Sequence, residues 1–278
     1  MKSYLDHSFN IEDIELASVL DELPLWSAPF GLSLLETVRM RKNINVLDIG
    51  SGTGFPLIEL AQRLGESCNL YGVDPWETVN YRSRMKVNKY NLTNVEIITG
   101  SAEELSFDDG YFDLVVSNNG INNVSDFGKV VKEIARVSKP GAQFVFTVNL
   151  EDTMHEFYDV LRSVLEETGH KKEIELVKEQ IYLKRKPLDE IKNIVSSSGF
   201  KIENIHNSIF KLRFSDAAAM FNHSLIKYWF LPSWKNLLNP NSKGMIFDMI
   251  EKRLNKDAAD CGEIKLSIPF ITADCTKK

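Results

Sequence analysis

The chain has 278 residues, 43% hydrophobic and 26% charged, with a formal net charge of −6 at pH 7. Such a length buries roughly three quarters of the unfolded surface, and so ordinary a composition excludes disordered, collagen-like and coiled-coil classes. The acidic balance counts against duplex binding, which calls for a basic face; the densest basic runs, Lys171-Lys172 and Lys184-Arg185-Lys186, are short and interleaved with acids.

The first forty residues predict two helices. Ile11, Ile14, Ala17 and Leu20 share a stripe that Pro24 ends; Trp26, Pro29, Phe30 and Gly31 predict a turn, and Leu32, Leu35 and Val38 a second helix. Strands and helices then alternate. Asn45 to Ile49 is a short apolar strand of the buried parallel kind, and Pro56 to Leu64 a helix with proline in its first turn. Leu70 to Val73 is the second strand, followed by a helix through about Tyr90. Val95 to Ile98 and Phe112 to Ser117 are the third and fourth strands. A helix from Phe127 to Val137, the pair Pro140-Gly141 and a strand Phe144 to Val148 complete the series. Repeated βα units imply a parallel sheet with right-handed crossovers.

After Leu150 the alternation stops. Met154 to Thr168, Glu173 to Tyr182 and a stretch opening at Pro187 and ending at Gly199 predict helices. Ile202 to Phe214 is extended, with a bend expected near Asn207, and Ser215 is expected to cap a helix running to Phe230. Ile264, Leu266, Ile268 and Phe270 alternate with Lys265, Ser267 and Pro269 as in a half-buried strand, where Pro269 argues for an edge or an irregularity. The expected organisation is an N-terminal helical lid at 1–40, a core at 41–150, and cap helices with the last strands at 151–278.

Cys68, Cys261 and Cys275 show no CxxC or metal-like spacing, so no metal and a reducing compartment are expected. No apolar signal stretch opens the chain and no run reaches the length of a membrane span; a cytoplasmic location is expected.

The chemistry-bearing segment is Asp48-Ile49-Gly50-Ser51-Gly52-Thr53-Gly54. Between a strand and a helix, glycines permit positive φ and let a ligand lie on bare backbone at a helix amino terminus. The dinucleotide fingerprint fails, because Phe55 stands at its third glycine position, and no Gly-Lys-Ser/Thr follows to make a phosphate-cradling P-loop.

What remains resembles the first motif of class I S-adenosylmethionine-dependent methyltransferases, of the small-molecule, methyltransferase domain 11/25-like type. Asp74 ends the second strand where that family places the acid for the ribose hydroxyls. Ser101-Ala102-Glu103-Glu104-Leu105 resembles its adenine segment, although Ser101 replaces the usual aspartate, and Phe112 to Asn118 resembles its fourth-strand motif. The resemblance covers residues 40 to 150 and implies a Rossmann-like, doubly wound, mainly parallel seven-stranded sheet with helical N-terminal and C-terminal caps. It also implies S-adenosylmethionine as cofactor, with S-adenosylhomocysteine as product. The implied cofactor residues are Asp48, Gly50, Ser51, Gly52, Gly54, Asp74, Pro75, Trp76, Ser101, Ala102, Glu103, Asn118 and Asn119.

A sulfonium methyl is already activated, so holding the acceptor in line supplies much of the catalysis. Many small-molecule members carry two histidines where this chain has Asn122 and Asn123, which orient an acceptor without taking its proton. His223 is the remaining candidate base, with His155 behind it. No Asn/Asp-Pro-Pro-aromatic run or Pro-Cys nucleophile marks a nucleic-acid base as acceptor. Trp26, Asn122, Asn123, Phe221, Tyr228 and Trp229 are the candidate acceptor contacts, and an aromatic helix around Phe221 to Phe230 is either core or a lid over an apolar pocket. The expected function is methyl transfer to a small, apolar or aromatic-bodied acceptor, without nucleic acid or membrane. The alternatives are a protein or RNA methyltransferase, a non-catalytic S-adenosylmethionine-binding module and, outside these, a nicotinamide oxidoreductase.

Overall fold

A computed structural model of the chain describes residues 3–6, 10, 12–15 and 24–278. Seven strands form one sheet in the order β3-β2-β1-β4-β5-β7-β6. They are β1 (Asn45–Ile49), β2 (Asn69–Asp74), β3 (Val95–Thr99), β4 (Phe112–Asn118), β5 (Ser138–Asn149), β6 (Phe200–Phe214) and β7 (Ile264–Lys277). β1 pairs in parallel with both β2 and β4, and β7 runs antiparallel to β5. Val46, Leu47 and Ile49, buried together with Asp48 on both faces, are what puts β1 in the middle. The strand order reverses between β1 and β4, so their carboxyl ends open the crevice where ligands bind in such sheets.

The helices are α1 (Ser3–Asp6), α2 (Pro24–Thr37), α3 (Leu57–Leu64), α4 (Glu77–Lys89), α5 (Phe127–Val137), α6 (His155–Glu167), α7 (Lys171–Lys184), α8 (Leu188–Ser197), α9 (Ala217–Asn222), α10 (Leu231–Asn236) and α11 (Lys243–Cys261). The chain divides into two compact units, the first Met1–Asn10, Leu150–Lys186 and Ile209–Pro269, the second Ile11–Asn149, Pro187–Ser208 and Phe270–Lys278.

In the second unit, which carries the glycine loop, Leu57, Leu60 and Ala61 of α3 pack with Leu34, Leu35 and Val38 on strand residues Val46, Leu70, Leu114 and Val116. Each such leucine contributes about 1.5–3 kcal/mol on burial. The first, helical unit has an aromatic core. Phe157 stacks on Trp234 at 3.7 Å, and Phe221 lies 4.9 Å from Tyr4 and 5.6 Å from Phe247. The Glu156 carboxylate accepts the Ser267 N–H at 2.9 Å, tying α6 to β7.

Several local expectations need correction. The stripe of Ile11, Ala17 and Leu20 lies outside the described residues. Trp26 to Gly31 is no turn: α2 begins at Pro24, a first helical position where a missing N–H costs nothing, and runs on through Pro29. Asp216, not Ser215, caps α9, its side chain accepting from Ala219 N–H at 2.7 Å. The helix expected to reach Phe230 stops at Asn222, where His223 turns extended, and resumes as a π-helical turn over Ile226–Phe230. β7 is an interior strand; Pro269 falls just before its pairing with β5 and its carbonyl accepts from Leu150 N–H at 2.9 Å. The Pro140-Gly141 pair lies inside β5, at the register shift of the β4–β5 ladder.

Candidate functional site

The glycine loop joins the ends of β1 and β2: Gly50 N–H donates to the Val73 carbonyl at 2.8 Å. Gly50 has φ +71, and a Cβ there would lie 2.9 Å from the Gly120 Cα; one on Gly54 (φ +101) would lie 2.6 Å from Ile58 Cδ1. These two glycines are demanded by backbone and packing together. A Cβ on Gly52 would meet nothing within 4 Å, so the middle of the loop presents its backbone to open space.

Around that opening, buried polar atoms lack partners. Asp48 is fully buried, and neither of its carboxylate oxygens completes a hydrogen bond; the hydroxyls of Ser51 and Ser83 and Oδ1 of Asn80 are in the same condition. Burial, and then the like charge of Asp74, raise the Asp48 pKa well above the ordinary carboxylate range, with the Leu57 N–H offsetting this in part. A buried group left unsatisfied costs about 1–3 kcal/mol, and such orphans in a native fold fit a polar ligand that completes them. Asp74 is half-buried and accepts from Gly52 N–H at 3.1 Å and Trp76 N–H at 2.9 Å, one on each oxygen. Burial raises its pKa, against those two bonds. Each oxygen keeps further acceptor capacity, which suits a vicinal diol.

Farther along the crevice edge, Ala102 is buried while Ser101 is exposed. The Ser101 hydroxyl donates to the Glu103 carboxylate, which also accepts from Ser125 N–H at 2.9 Å. This pair ties the loop after β3 to the segment leading into α5, whose cap is Asp126. Trp76 is half-buried at the start of α4, and Pro75 is exposed.

At the ends of β4 and β5 sits a knot of amides. Asn118 Nδ2 donates to the Ser27 carbonyl at 3.1 Å, and its Oδ1 accepts from the Thr147 hydroxyl at 3.1 Å. Asn119 takes φ +58; its Oδ1 accepts from Asn122 Nδ2 at 2.7 Å and from Asn149 N–H at 3.2 Å. Asn122 Nδ2 also donates to Asn149 Oδ1. Asn123 is exposed. Trp26, on α2, packs edge-on at 5.4 Å against Phe30, whose ring lies 4.6 Å from that of Phe270.

The loop, Asp74, the Ser101–Glu103 segment, Trp26 and the Asn118–Asn123 segment thus belong to one unit. Phe221, His223, Tyr228 and Trp229 belong to the other. Phe221 is fully buried there, and Tyr228 and Trp229 are half-buried. His223 lies edge-on at 5.3 Å to Phe214, and burial lowers its pKa. The sequence reading missed Asn80, Ser83, Thr147 and Asn149. The signal was available: Asn80 and Ser83 are polar residues three apart on the buried side of α4, and Thr147 and Asn149 end a strand otherwise apolar from Phe144.

Residues 47–146 match the methyltransferase domain family. A demethylmenaquinone methyltransferase of Listeria welshimeri is 39% identical over 109 residues, 39% of this chain and 46% of the relative. Its namesake from Bacillus mycoides is 36% identical over 122 residues, 43% of this chain and 52% of the relative. The chain therefore spans about half the length of these curated relatives. Among solved structures, the YcgJ protein of Bacillus subtilis superposes with a TM-score of 0.56 at 18% identity, over 90% of this chain and 97% of that one. The [4+2]-cyclase SpnF gives 0.54 at 14% identity, over 90% and 80%. At such identities the likeness is one of fold alone.

Proposed function

We propose that this chain, whose residues 47–146 match the methyltransferase domain family, is a class I S-adenosylmethionine-dependent methyltransferase that methylates a small acceptor with an apolar or aromatic body. The observation that carries the reading is the open Gly52 backbone, flanked by a buried, unpartnered Asp48 and by Asp74. When bound, the cofactor supplies an activated methyl group on sulfur. Gly50, Ser51, Gly52, Gly54 and Asp48 would hold its methionyl part, Asp74 with Pro75 its ribose, and Trp76, Ser101, Ala102 and Glu103 its adenine. Asn118 and Asn119 would stand beside the reacting end.

Positioning carries the catalysis, supplying up to ~7–11 kcal/mol when the reacting atoms are held in line. The amides of Asn119, Asn122 and Asn149 orient and cannot take a proton. For an acceptor that must lose one, the proposed base is His223, which its lowered pKa keeps neutral at pH 7. Trp26, Asn122 and Asn123, in the unit that carries the glycine loop, are the proposed acceptor contacts, whereas Phe221 is core of the helical unit. The acceptor class agrees with relatives named for demethylmenaquinone, and no helix among the described residues is long and apolar enough to cross a membrane.

Calorimetry with S-adenosylhomocysteine and with NAD, followed by a product assay on demethylmenaquinone, tests this. S-adenosylhomocysteine is expected to bind and NAD not to; the reverse would overturn the reading. Replacing His223 with alanine is expected to leave cofactor affinity within twofold while lowering turnover. Unchanged turnover would remove the base.

A further inference from the structure

Arg185 is 5% exposed. It follows the last residue of α7, and its backbone N–H is bonded to the Ile181 carbonyl at 2.8 Å. Its Nη1 is buried without a partner, and no carboxylate pairs with it among the described residues. What faces it is the Tyr158 ring, with the guanidinium carbon 5.6 Å from the ring centre. That ring is fixed from both sides of its hydroxyl, which accepts from Trp234 Nε1 and donates to Gln180 Oε1, each at 3.1 Å. A helix carboxyl end and an aromatic face offset part of the penalty of a buried cation; an anion would complete it.

Tyr158 also lines a cavity of about 250 Å³, together with Ile181 and Tyr182. Every one of these residues belongs to the helical unit. Arg185 is not on the cavity wall but adjoins it through Tyr158; Arg162 and Lys178, which are on the wall, already have acids, Arg162 pairing with Asp159 and Lys178 with Glu175 at 2.8 Å. Glu151 and Asp152 on the same wall are exposed, so solvent screens their repulsion of an anion. The volume falls just below the ~300–1,000 Å³ of drug-sized sites, which suits a small metabolite.

We infer that the helical unit holds an oxyanion site at Arg185 and Tyr158, for a small carboxylate or phosphate whose apolar part lies along Tyr158, Ile181 and Tyr182. The guanidinium fork, held over a fixed ring, matches the planar acceptor pairs of either oxyanion. The site is independent of methyl transfer.

The test is thermal unfolding of the full chain in sodium phosphate, in sodium benzoate and in sodium chloride at matched ionic strength. At least one of the two oxyanions is expected to raise the midpoint beyond chloride, and which one does so identifies the headgroup. Calorimetry is expected to show at least tenfold weaker binding of that anion by Arg185→Met, with S-adenosylhomocysteine affinity unchanged. Without oxyanion, Arg185→Met is expected to be no less stable than the parent. Should that variant fail to fold, Arg185→Lys keeps the charge without the fork and is expected to weaken binding at least threefold. Equal midpoints in all three salts, an anion effect that survives in Arg185→Met, or a folded Arg185→Met less stable than the parent without oxyanion would each overturn the site.

Discussion

The two ends of the crevice handle their polar groups in opposite ways. Beyond β1 and β2, buried Asp48, Ser51, Asn80 and Ser83 each hold at least one polar atom with no partner. Beyond β4 and β5, Asn118, Asn119, Asn122 and Asn149 bond to one another, to Thr147 and to Ser27. The first end carries a stability penalty that a ligand relieves; the second is rigid before anything binds. Cofactor affinity is therefore expected to depend on the first end, and acceptor orientation on the second.

The sharpest way to break this contrast is at the loop. Gly50→Ala puts a methyl against Gly120 in a backbone region that L-residues pay ~1–2 kcal/mol to enter. The expected result is at least 100-fold weaker binding of S-adenosylhomocysteine by calorimetry; full affinity would mean that the loop does not hold the cofactor. Next is Asp74→Ala, expected to weaken the same binding at least tenfold, since the diol it leaves unsatisfied costs more than 1 kcal/mol.

Asp48 gives a pH test. Its pKa is raised in the fold, so the stabilisation linked to its protonated form is fully present below the unfolded carboxylate pKa. It is lost as pH rises through the folded value. Denaturant unfolding of the cofactor-free parent should lose stability over that rise, while Asp48→Asn should be flatter and about 1 kcal/mol more stable at neutral pH. Coincident profiles would place the penalty elsewhere. The smallest expected change in affinity comes from Asn122→Ala. It removes two hydrogen bonds and should lower stability by about 1–2 kcal/mol, with S-adenosylhomocysteine affinity altered less than threefold. A tenfold loss would merge the two ends into one functional surface.

The parallel half of the sheet was legible because buried parallel strands are written as nearly continuous apolar runs, β1 being interrupted only by Asp48. Val46 to Ile49 and Leu114 to Val116 need no context to be read. The glycine loop was legible because its backbone leaves few other residues possible. The helical unit was harder. The break at His223 and the π-helical turn depend on what α9 and α10 pack against, and periodicity does not register that. α11 was not among the predicted helices, although Ile246, Ile250, Leu254 and Ala258 recur every four residues along its buried face. The orphaned hydroxyls of Ser51 and Ser83 were beyond reach, since being unpartnered is a property of the packed fold.

The contact between Gly50 and Gly120 has a consequence for redesign. A Cβ on Gly120 would sit 2.5 Å from the Ile49 carbonyl oxygen and 3.1 Å from the Gly50 Cα. The turns leaving β1 and β4 therefore abut main chain to main chain, and the Ser117 hydroxyl bridges them, donating to the Ile49 carbonyl at 2.8 Å and accepting from Ile121 N–H at 3.2 Å. Neither Asn122 nor Asn123 lies in that contact, so exchanging them is expected to leave the spacing between the two turns as it is.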